Sequence, residues 1–141
     1  SVGSTANTLL LAGLIATTPV GAEVLLYHDF NKESLHTYTA EDVLTTWNAR
    51  SGKAVKPGAV KIVRDPDPSG SHGNVMRIFQ AANSWGVQNN SGSHWMVPIK
   101  PQDELYFAYD IYFEADAEFV RGIINQMRAF ALTVQIAGME E

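Results

Sequence analysis

The chain has 141 residues, 45% of them hydrophobic and 18% charged, with no cysteine and a formal charge of −5. That composition belongs to a single globular domain rather than a disordered segment. It excludes disulfide staples in any compartment, and the acidic balance excludes a general nucleic-acid binder, which carries a basic excess.

The charge is unevenly placed. Residues 1–22 carry none, residues 23–49 hold one basic and five acidic groups, and residues 103–141 hold two basic and eight acidic groups. The stretch between them reverses the sign: Arg50, Lys53, Lys56, Lys61, Arg64, Arg77 and Lys100 stand against Asp65 and Asp67. Solvated surfaces with chance clustering account for such a pattern. A basic face that concentrates an anionic ligand accounts for it too, provided the side chains converge in space.

At the N-terminus, "TANTLLLAGLIATTPVGAEV" has an apolar run from Leu9 to Ala16, with valine at −3 and small residues at −2 and −1 of a cleavage after Ala22. This is the length of a secretory h-region and too short to span a bilayer, which needs about 20 apolar residues. The expectation is a secretion signal over 1–22, an extracellular mature chain and no membrane attachment after its removal. A buried apolar helix is the alternative.

"EVLLYHDF" (23–30) reads as an opening strand. "TAEDVLTTWN" (39–48) starts with Thr39 and carries Asp42 three residues on, close to a capping box, after which Val43, Leu44 and Trp47 recur at helical spacing. One short helix is expected there. Pro57-Gly58 breaks the chain, and from that point the signal is β: "VKIVRD" (60–65), "NVMRIFQA" (74–81) and "HWMVPI" (94–99), separated by polar loops.

The longest strand lies in "DELYFAYDIYFEADAEFVRG" (103–122). Leu105, Phe107, Tyr109, Ile111 and Phe113 alternate with Tyr106, Ala108, Asp110, Tyr112 and Glu114. The first set is expected to fill the space between two packed sheets, and the second to form a wet, polar-aromatic face. Short strands, polar turns and a single helix give the expected class: all-β, an antiparallel β-sandwich or jelly roll.

Three segments, "VRDPDPSGSHGNVMRIF", "SGSHWMVPI" and "DELYFAYDIYFEADAEFVRG", resemble in order and spacing the first half of the polysaccharide lyase family 14 type of domain. That family includes secreted alginate and glucuronan lyases with a concanavalin-like β-jelly roll. The resemblance spans residues 23–122, and its most specific element is a strand of the type "SYDVYFEPGFDFVKGG", matched by Ala108 to Gly122. The chain then departs from the family. Where family members continue into a "GGKLPG"-like turn, Arg121-Gly122 is followed by Ile123-Ile124-Asn125-Gln126. The tail 123–141 resembles nothing in the family, and the later strands that bring its Tyr-x-Tyr groups are absent from this sequence.

The resemblance implies β-elimination on uronic-acid polysaccharides, here by an incomplete and inactive jelly roll. A non-catalytic carbohydrate-binding β-sandwich is the alternative, and exposed apolar strand faces would favour self-association. β-Elimination needs a cation to neutralise the uronate carboxylate, a base for the C5 proton and an acid for the departing O4 oxygen. The candidates for proton handling are His94, at the start of its strand, and Tyr112. For substrate binding they are Arg77, mid-strand and able to reach a carboxylate or to pair with Asp110, the amides of Gln80 and Gln88, and Tyr106 on the wet face. His28, His36 and His72 show no metal-ligand spacing, so no metal or other cofactor is expected. No nucleophile elbow, phosphate loop or dinucleotide fingerprint is present.

Overall fold

The computed structural model describes residues 21–140 apart from 54, 68, 70–71, 85–87, 116–118, 121–122 and 125–126. The elements in chain order are β1 (Glu23–His28), β2 (His36–Thr37), α1 (Ala40–Thr46), β3 (Val60–Arg64), β4 (Asn74–Gln80), a 3-10 turn (Gln88–Asn90), β5 (Glu104–Phe113), β6 (Phe119–Val120), β7 (Ile123–Ile124) and β8 (Met127–Met139). The secretion signal assigned to 1–22 falls almost wholly outside the described residues. No helix among the described residues is long and apolar enough to cross a membrane.

Among the described residues the fold is all-β and sandwich-like, with every strand pair antiparallel and one short helix. The helix begins as its sequence implies. The Thr39 hydroxyl accepts from the Asp42 N–H, and the Asp42 carboxylate accepts from the Thr39 N–H at 2.6 Å. Two otherwise unpaired donors of the first turn are satisfied this way.

β8 is the hub of the main sheet, although its sequence lies in the tail that resembles nothing in the lyase family. β5 pairs along its whole length, from Glu104 opposite Met139 to Phe113 opposite Ala129. Its other edge is shared: β1 pairs with residues 134–138 and β4 with residues 127–131. β3 and then β2 extend the sheet from β4. β6 and β7 form a separate two-stranded sheet.

Directly paired residues of an antiparallel ladder share a face, so the register sorts the side chains. One face carries Leu26 and His28 of β1, Val60 and Ile62 of β3, Met76 and Ile78 of β4, and Leu105, Phe107, Tyr109, Ile111 and Phe113 of β5. Over β1, β3 and β4 that face is covered by Val43 of α1 and by Trp47, Ala49, Val55, Trp95 and Val97 of the flanking segments, which close the core with Phe30 and Tyr38.

Over β5 the same face is bare, which corrects one expectation. The five apolar β5 side chains are 38–61% exposed, where the sequence places them between two sheets. The alternation is as expected, but no second sheet lies over β5 among the described residues. A second correction concerns 94–99. It is extended, with burial alternating residue by residue, yet it belongs to no ladder. Pro98 has no N–H to donate, and the segment lies over the core instead of in the sheet, held through Met96, whose carbonyl accepts from Arg50 N–H at 3.0 Å.

Candidate functional site

On the reverse face of the sheet, Lys61 lies directly opposite Arg77, and Arg77 pairs through Phe130 of β8 with Tyr112 of β5. The three residues therefore occupy one row across four strands, about 5 Å per step. Like charges placed directly opposite destabilise a ladder by about 0.2–1 kcal/mol. Neither cation has an ion pair among the described residues, and the Arg77 Nε is sealed from solvent without any hydrogen-bond acceptor. The Arg77–Asp110 pairing that the sequence allows does not form. A half-buried guanidinium beside a half-buried lysine, both lacking a counter-ion among the described residues, is an arrangement that an added carboxylate would stabilise.

The other expected site residues are placed as follows. Tyr106 shares the reverse face with Tyr112 but lies six positions along β5, about 20 Å away. Its hydroxyl donates to the Glu104 carboxylate, which raises its pKa. Gln80 lies on the core face and is 7% exposed. Its amide donates to Ser84 Oγ at 2.8 Å, Ser84 contacts Ser91 Oγ at 3.1 Å, and Ser91 Oγ accepts from Ala81 N–H at 2.7 Å. This network pins the loop that follows β4, so Gln80 is engaged inside the protein rather than with a ligand. Gln88 is exposed in the 3-10 turn, where Asn89 and Asn90 take positive φ values of 53° and 54°.

His94 stands apart from Tyr112. It lines a cavity of about 220 Å³ with Arg50, Ser51, Lys53, Trp95 and Met96. This cavity is in the layer that covers the core face, whereas Tyr112 is on the reverse face. The two expected proton carriers are thus separated by the sheet and cannot act on one C5–H bond.

A larger cavity, about 460 Å³, is lined by Tyr27, His28, Asp29, Phe30, Lys32, Glu33 and Thr46. His28 stacks on Trp47 with ring centroids 4.0 Å apart, and burial lowers its pKa. Glu33 accepts from the Tyr38 hydroxyl at 2.5 Å, and burial pushes its carboxyl above the usual range. Tyr38 in turn accepts from Trp47 Nε1 at 3.2 Å. The network holds the aromatic core against β1. The cavity lining mixes Lys32 with two carboxylates, so its charge favours no single ligand sign.

The basic stretch 50–102 therefore does not converge on one face. Lys61 and Arg77 take the reverse face, Arg50 and Lys53 take the cleft beside His94, and Lys100 is tied to Glu23 at 2.8 Å and Glu140 at 3.7 Å. The sequence singles out Arg77 as a site residue and names Lys61 only within the basic stretch. The signal was there: Lys61 is the one charged side chain between Val60 and Ile62, so it must face away from the core. No group of three or more potential metal ligands occurs among the described residues. Comparison with protein-family models, with curated proteins and with solved structures returns no match.

Proposed function

We propose that this chain is a secreted, β-sandwich-type protein that binds an acidic polysaccharide of uronate type without cleaving it. One observation carries the reading: Lys61 and Arg77 lie opposite each other on one sheet face, half-buried and without a counter-ion among the described residues. A uronate carboxylate is planar and matches the guanidinium fork, while the adjacent ammonium adds a second positive charge. Tyr112 in the same row offers a ring for the apolar side of a sugar and a hydroxyl at its tip. The separation of His94 from Tyr112 favours binding over β-elimination, since only one of the two expected proton carriers shares the row of the carboxylate clamp.

Affinity electrophoresis in gels containing alginate, glucuronan or neutral dextran tests this. Retardation is expected with the two uronans, weakened by salt, and none with dextran. Arg77→Met should weaken binding by about 10- to 100-fold, the loss of one charge-assisted contact of about 1.5–3 kcal/mol. The same variant should gain stability by about 1 kcal/mol, because it removes a sealed donor that lacks an acceptor. Uronan binding unchanged by both Arg77→Met and Lys61→Ala overturns the site. Appearance of an unsaturated, ultraviolet-absorbing product overturns the non-catalytic reading.

A further inference from the structure

The cleft around Trp95 is built from two loops that are fastened to each other and to the core. Arg50 N–H donates to the Met96 carbonyl at 3.0 Å, Lys56 N–H donates to Ser93 Oγ at 2.9 Å, and Val55 forms an isolated antiparallel bridge with Ser93. Gly52 is buried against α1. A Cβ there would come within 2.5 Å of the Ala40 carbonyl oxygen, so only glycine lets the loop pack this closely. Trp95 meets Trp47 edge-on at 5.3 Å and Tyr38 at 6.2 Å, which fixes its ring as one wall.

The lining has a definite chemical character. Arg50, Lys53 and His94 present cationic or proton-bearing nitrogen groups, and no carboxylate lines the cleft among the described residues. Trp95 and Met96 supply apolar surface, Met96 being 64% exposed. At about 220 Å³ the cleft is smaller than the roughly 300–1,000 Å³ of sites for drug-sized ligands, so it has room for one ring-sized unit.

We infer that this cleft is a separate binding site for a single acidic sugar ring, with the C–H face of the ring against Trp95 and its carboxylate between Arg50 and Lys53. The occupant could be a free sugar acid or one residue of a polymer; the chemistry recognised is the same. The site lies on the opposite side of the sheet from Lys61 and Arg77, so it stands whether or not that pair binds uronan.

Titration with glucuronate, oligoglucuronate, glucose and inorganic sulfate, followed by indole NH resonances in NMR spectra, provides the test. Saturable shifts of the Trp95 resonance are expected with glucuronate and not with glucose. An oligomer that binds more tightly than the monomer identifies a polymer residue as the occupant, and equal affinity identifies the free acid. Arg50→Ala with Lys53→Ala should raise the dissociation constant by about tenfold or more, while Arg77→Met leaves it unchanged. Both loop residues are exposed, so the double variant retains the fold. Equal shifts with glucose, shifts with sulfate matching those with glucuronate, absence of any Trp95 shift, or binding unaffected by the double variant would each overturn the inference.

Discussion

The same face of one sheet is treated in two ways. Over β1, β3 and β4 it is closed by α1 and the loops, and Val60, Ile62 and Met76 are at most 3% exposed. Over β5, one strand beyond β8, side chains of equal hydrophobicity are 38–61% exposed. Strand alternation is a local property and is satisfied at both ends, whereas burial needs a partner layer. The contrast shows that a pattern can announce a core-facing surface without the described residues supplying what packs on it.

Substitutions on the two ends should therefore differ most. Ile62→Ala removes packed atoms from a site 2% exposed, and it should cost about 2–5 kcal/mol in chemical denaturation. Phe107→Ala deletes a larger side chain that is 61% exposed, and it should change stability by about 0.5 kcal/mol or less. Equal costs would mean that β5 is covered in solution. Phe107→Lys with Tyr109→Lys should instead reduce binding of a hydrophobic dye and suppress concentration-dependent association, because the bare strip lines up five exposed apolar side chains on one strand. A third, smaller effect probes the cover itself. Thr39→Ala removes the cap of α1 and should cost about 1 kcal/mol, with unfolding still a single transition.

Much of this arrangement was legible in the sequence. The Thr39–Asp42 box and the spacing of Val43 and Trp47 gave α1 within two residues at each end, since capping and periodicity are both local. The alternation of β5 was equally plain. What escaped was non-local. β8 carries no signature that marks it as the central strand, because its place is set by pairing with three different strands. The segment at 94–99 has strand-like alternation without strand pairing, and only the position of the Arg50 N–H decides what its backbone does. For the site, Arg77 could be singled out as a cation among apolar neighbours. Its partnership with Lys61 required the β3–β4 register, and the absence of a counter-ion among the described residues required the tertiary arrangement.

The smallest expected effect is a pH dependence confined to the covered end, where two histidines oppose each other. His28 is stacked on Trp47, and burial lowers its pKa below 6.5, opposed by the charge of Asp29. In the unfolded chain it takes up a proton near pH 6.5, which the folded state resists. Its contribution thus favours the native state above pH 6.5 and is lost as pH falls below that value. His36 is shifted the other way, first by its hydrogen bond to the Ser34 carbonyl and then by the Asp42 carboxylate at 3.0 Å. Its stabilisation is fully present below pH 6.5 and is lost as pH rises through its raised folded value. Over pH 5–8 the two contributions partly cancel, and wild-type stability should vary little. His28→Phe should leave the His36 slope alone, with stability falling as pH rises, and His36→Ala should leave the opposite slope. Denaturation midpoints of the two variants across that range check this. A flat profile for His36→Ala would mean that His28 is solvated, and hence that the aromatic cover over β1 is looser than its 4.0 Å ring contact implies.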